Sequence, residues 1–120
     1  MSKAQAIIRS RIYSFGYAAE GIKQLIRTEI NMRIHVLAAV LVVIGGLVKG
    51  LETLEWVAIV ISIGLVWTLE AVNTAIELLC NLVCNHNYHP LVKQIKDIAA
   101  ASVLIMSAVS MVVAVLIFLN

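Results

Sequence analysis

The chain has 120 residues, enough for one domain, and is 62% hydrophobic with 13% charged residues and a mean hydropathy of +0.99. That composition excludes a water-soluble fold, and a net charge of +2 is too small to imply a nucleic-acid partner. Residues 98–120 carry no charge at all, a run long enough to cross a bilayer as a helix. A membrane protein is therefore expected, with residues 1–120 as its single domain. The first 33 residues hold six basic side chains and no central apolar run, so no cleavable signal peptide is expected.

Taken in chain order, residues 4–30 place Ile8, Ile12, Phe15, Ala19, Ile22 and Ile26 at spacings of three and four, with Arg11, Glu20, Lys23 and Arg27 largely between them. This periodicity predicts an amphipathic helix suited to an anionic membrane surface or to packing on a bundle. A first span is expected over 34–50, short enough for Arg33 and Lys49 to snorkel. After a turn, a second span is expected over 55–84, and the composition of Asn85–Pro90 (NHNYHP) predicts a loop closed by the only proline. A third span follows over 96–119. The fold class is thus all-α: a surface helix plus three transmembrane helices.

Six basic residues precede the first span, Lys93 and Lys96 lie before the third, and Lys49 alone falls on the other side. The positive-inside rule puts the N-terminus and the second loop in the cytoplasm and the C-terminus outside. Cys80 and Cys84 are four apart; with no further thiol pair they read as small packing residues near a helix end, and an intrahelical disulfide has poor geometry.

The second span contains LEAVNTAIELLCN at residues 69–81. At 100° per residue, Glu70, Asn73, Glu77 and Asn81 fall within an arc of about 80° on one helix face. Counting about 1.5 Å per residue from Trp56 puts Glu70 about 21 Å and Glu77 about 31 Å from the outer surface. Topology gathers Glu29, Glu70, Glu77, Lys96 and Asp97 toward the cytoplasmic side. Intramembrane acids are costly and need a partner, a proton or a cation, so they point to function. Interfacial Glu29 and Glu77 suit magnesium, which takes carboxylate and phosphate oxygens. The deeper Glu70 suits a general base for a buried hydroxyl, and Lys96 suits phosphate charge. His35 and His86 read as interfacial polar residues. Two other classes remain open on these residues: a proton-coupled exporter using Glu70, and an inactive membrane scaffold.

The segment Glu70-Ala-Val-Asn-Thr-Ala-Ile-Glu77 closely resembles the signature of the bacterial diacylglycerol kinase and undecaprenol kinase family. Ser14-Phe-Gly-Tyr-Ala18, Arg27-Thr-Glu-Ile-Asn-Met-Arg33, Tyr88-His-Pro-Leu91 and Lys96-Asp-Ile-Ala-Ala100 are similar to further family blocks in the same order. The resemblance implies a homotrimer in the bacterial cytoplasmic (inner) membrane, with sites shared between subunits on the cytoplasmic side. It implies transfer of the γ-phosphate of ATP to a membrane lipid alcohol, diacylglycerol or undecaprenol, with Mg2+. By position it implies Glu70 as catalytic base, with Asn73 and Lys96 as catalytic companions, and Glu29 and Glu77 as metal ligands. Arg11, Tyr17, Glu29, Glu77, Asn87, Tyr88, His89, Lys96 and Asp97 are the implied nucleotide contacts. Asn81 departs from the family, which usually has aspartate there. Tyr-His-Pro-Leu and Arg-Ile-His resemble the undecaprenol branch more than the diacylglycerol branch.

Overall fold

A backbone in hydrocarbon must satisfy its hydrogen bonds within its own segment, and a chain this apolar meets that demand with helices. The computed structural model describes residues 1–120 and is all-helical: α1 (Lys3–Thr28), α2 (Ile30–Lys49), α3 (Thr53–Cys84) and α4 (Pro90–Phe118). The last three are long and apolar enough to cross a membrane. At 1.5 Å per residue they run about 30, 48 and 43 Å, so α3 and α4 exceed a hydrocarbon core of roughly 30 Å.

The chain divides into two units, Met1–Ile30 and Asn31–Asn120. In the first, α1 starts with a reciprocal cap. Ser2 Oγ accepts from the Gln5 amide at 3.2 Å, and Gln5 Oε1 accepts from the Ser2 amide at 2.9 Å. Ile8, Ile12, Phe15 and Ile22 are all exposed along this helix. It ends at Glu29, whose extended backbone (φ −102°, ψ 111°) is the one break before α2.

In the second unit α3 and α4 pack along one another. One third of the most apolar stretch of α3 is buried, against 11% for α2 and 6% for α4, which makes α3 the central helix. Its buried positions, Ile59, Ser62, Val66, Glu70, Asn73, Thr74 and Cys80, recur mainly every three or four residues and so trace one face. That face is mainly apolar through Val66 and polar from Glu70 to Thr74. Most apolar residues of α2 and α4, such as Leu37, Leu41, Leu104 and Ile105, remain exposed, as expected where lipid or another chain replaces water as the neighbour.

The two turns have local causes. Gly50 at φ +75° supplies the left-handed residue after α2. Lys49 donates to the carbonyls of Ile117 and Asn120 at 2.6 and 2.9 Å, fastening the end of α2 to that of α4. At the other turn Asn85 and His86 both have positive φ. Pro90 then opens α4 at a position where its missing N–H is harmless, and His89 Nδ1 accepts from the Leu91 amide at 3.1 Å. Helix α4 therefore begins at Pro90, six residues ahead of the expected span, and Lys93, Lys96 and Asp97 occupy its first two turns. Cys80 is buried and both cysteines are free.

Candidate active site

Glu70 is the most buried large side chain of the protein, 1% exposed. Its neighbour across the helix gap is His35 of α2, with Nε2 lying 3.7 Å from Glu70 Oε2. One turn along α3, the Asn73 amide donates to Glu77 Oε1 at 3.2 Å, which orients the half-buried Glu77 carboxylate. Asn73 Oδ1 itself is buried without a hydrogen-bond partner, as is Thr74 Oγ1 beside it. Such orphaned buried polar atoms are uncommon in folded proteins.

One turn beyond Glu77, Asn81 Oδ1 accepts from Lys96 Nζ at 2.6 Å. This bond ties α3 to α4 and fixes the ammonium beside the polar face. Asp97 does not join Lys96; it pairs instead with Lys93 at 2.6 Å, one turn back on the surface of α4. The implied contacts Asn87, Tyr88, His89, Lys96 and Asp97 line a single cavity of about 450 Å³, together with Asn81 and Lys93. With two lysines against one acid, Asp97, the lining carries net positive charge and makes this cavity receptive to anions.

A second cavity of about 400 Å³ lies among α2, α3 and α4. Ala38, Val42, Ile59, Val66, Met111 and Ala114 give it an apolar wall, and His35, Trp67 and Ser110 supply polar atoms. Trp67 Nε1 and Ser110 Oγ are buried without partners.

The remaining implied residues, Arg11, Tyr17 and Glu29, belong to the first unit. Tyr17 lines a shallow cleft with Arg9 and Tyr13, and Glu29 Oε1 accepts from Thr28 Oγ1 at 3.3 Å. Within the chain no group of three or more His, Cys, Asp or Glu side chains gathers as a cation cage. The fit to magnesium rests on a smaller set: the oriented Glu77 carboxylate is a hard oxygen donor of the kind that ion takes in ones and twos.

Two residues with roles here were not among the sequence candidates. Lys93 joins the anion-receptive cavity because α4 starts early. His35, read from sequence as an interfacial polar residue, instead faces the buried glutamate. Residue counts give the level of these two groups but not which helix faces meet. Measured from the ends of the shared turn, His35 lies 14 residues back from Lys49 and Glu70 17 residues beyond Thr53, about 21 and 26 Å along their helices, which is within one helical turn of the same level.

The family described as prokaryotic diacylglycerol kinase matches residues 16–118. The chain is 41% identical over 106 residues to an undecaprenol kinase of Bacillus subtilis, covering 88% of this chain and 85% of that one. It is 33% identical over 102 residues to a diacylglycerol kinase of Synechocystis, covering 85% of this chain but 58% of that longer protein.

Proposed function

The chain belongs to the prokaryotic diacylglycerol kinase family, membrane-embedded enzymes that phosphorylate lipid alcohols, and from that membership we propose that it transfers the γ-phosphate of ATP to undecaprenol, ahead of diacylglycerol. Undecaprenol comes first because the undecaprenol kinase relative matches more closely and over more of its length. Neither the exporter nor the inactive scaffold weighed from sequence is retained.

The observation that carries the reading is Glu70, a carboxylate 1% exposed that lies along α3 between residues lining the apolar cavity and residues lining the anion-receptive one. In the proposed reaction the hydrocarbon of the lipid occupies the cavity among α2, α3 and α4, with Trp67 and Ser110 offering hydrogen bonds to its polar end. Glu70 takes the proton of the lipid hydroxyl as its oxygen attacks the γ-phosphorus. The bond from that phosphorus to the bridging oxygen breaks, releasing ADP. Lys96, steadied by Asn81, is proposed to offset charge on the transferring group. Tyr17, Asn87, Tyr88, His89 and Asp97 are proposed to contact the nucleotide, as is Arg11. Glu29 and Glu77 would hold magnesium, with Asn73 orienting Glu77; when bound, the ion offsets phosphate charge. Holding both substrates in line supplies a further part of the acceleration.

We place the enzyme in the cytoplasmic membrane with its N-terminus and site facing the cytoplasm, following the distribution of basic residues. The exposed apolar faces of α2 and α4 suit a homotrimer with shared sites, and α1 suits the membrane surface.

The test is ATP consumption by the purified protein in phospholipid vesicles, with undecaprenol and diacylglycerol side by side. Undecaprenol is expected to give the higher kcat/KM. Glu70→Gln, with assembly confirmed by size-exclusion chromatography, is expected to lower kcat by about 10²- to 10⁴-fold, the range of a general base. Wild-type turnover in that variant would remove Glu70 from the role.

A further inference from the structure

We propose that His35 is the proton acceptor that resets Glu70 after each phosphoryl transfer, an inference that rests on the kinase reading above. Each turnover leaves the hydroxyl proton on Glu70, and that carboxyl must lose it before the next lipid arrives. Its side chain is 2% exposed, so direct exchange with bulk water is obstructed. His35 has Nε2 3.7 Å from Glu70 Oε2 and is less enclosed, at 20% exposed, in the second turn of α2. Imidazole is the side chain whose ordinary pKa, near 6.5, allows it to take and release a proton at physiological pH.

The steps balance. In the proposed cycle the resting pair is a carboxylate and a neutral imidazole. The lipid hydroxyl loses its proton to Glu70 as the new phosphorus–oxygen bond forms. Glu70 passes the proton to His35 Nε2, giving a carboxylate beside an imidazolium, a separation at which opposite charges attract. The imidazolium then releases the proton to solvent and the pair is restored.

Glu70 faces His35 from α3; α4 contributes Ser107, Ser110, Met111 and Ala114 to the cavity that His35 lines, and the nearest charged residue on α2 is Arg33, a guanidinium that stays protonated and so cannot take the proton. His35 acts through Glu70 and not on the substrate, so it is a positioning and proton-accepting residue.

The experiment uses the full chain in phospholipid vesicles with undecaprenol and ATP, comparing wild type, His35→Gln and His35→Ala. A first turnover needs no reset, whereas later ones do. The expected result is a retained phosphoryl-transfer burst followed by steady-state turnover slowed at least ~10-fold more than the burst. Added imidazole should restore steady-state turnover in His35→Ala, and the acidic limb of the kcat–pH profile should move in His35→Gln. Should one variant assemble poorly, the other carries the test. Wild-type steady-state turnover in both variants overturns the inference. So does a burst that falls in parallel with the steady state and is not rescued by imidazole, since that is the signature of a packing role. Wild-type protein that consumes no ATP with lipid overturns the kinase reading itself, and this inference with it.

Discussion

At the scale of single residues, the site is defined by how each polar side chain in an apolar helix is compensated. Glu70 has His35, Glu77 has the Asn73 amide, and Lys96 has Asn81 Oδ1 at 2.6 Å. The last pair gives meaning to the residue at which the chain departs from the family pattern. An amide holds the lysine in place as a carboxylate would, but leaves its charge unneutralised and available to phosphate. Removing the amide leaves a part-buried ammonium short of an acceptor, and a hydrogen bond to a charged group is worth about 1.5–3 kcal/mol. Asn81→Leu is therefore expected to lower kcat/KM for ATP by roughly 10-fold or more, with a smaller effect on KM for lipid. Steady-state kinetics at varied ATP and fixed lipid checks this.

At the scale of elements, α3 acts as the frame and the turns at its ends set what surrounds it. The α2–α3 turn is closely packed. A Cβ added at Gly46 would come within 2.8 Å of Leu51 Cδ1 and of Trp56 Cη2, closer than carbon atoms approach without displacement. The indole is rigid, so the helices would have to part. Gly46→Ala is expected to destabilise the fold by about 1–3 kcal/mol, the usual cost of overpacking, seen as a lower unfolding midpoint in detergent. The other turn has the opposite character. Asn85 and His86 in left-handed backbone reverse the chain sharply, and Pro90 starts α4 early enough to bring Lys93 and Lys96 alongside Asn81. That early start is what joins residues from 81 to 97 around one cavity.

At the scale of the whole second unit, helix α2 meets α3 at the Gly46 turn and again where His35 faces Glu70, and a cavity of about 400 Å³ lies among α2, α3 and α4. Its apolar wall with two orphaned polar atoms fits a lipid whose single polar group must be placed near a base. Filling it should affect one substrate only. Ala38→Phe, on the α2 wall, is expected to raise KM for the lipid several-fold while leaving KM for ATP unchanged. Titration of each substrate against saturating amounts of the other separates the two.

Composition and hydropathy suffice for a helical membrane protein with three apolar spans, and the Glu70–Glu77 segment carries the resemblance to the lipid kinases that the family match bears out. Hydropathy alone forces those helices, because backbone polar groups in lipid have no other partners. The 3.6-residue period likewise puts Glu70, Asn73, Glu77 and Asn81 on one face, a consequence of helix pitch alone. Partnership between side chains was not legible in that way, because it depends on how separate helices meet. Only the packing of α3 against its neighbours brings His35 to Glu70 and Asn81 to Lys96. With Lys96 held by α3, and α4 already helical from Pro90, Asp97 pairs with Lys93 one turn back. These contacts depend on helix packing and on where a turn lets the next helix begin, and the periodicity of a single segment carries no record of either.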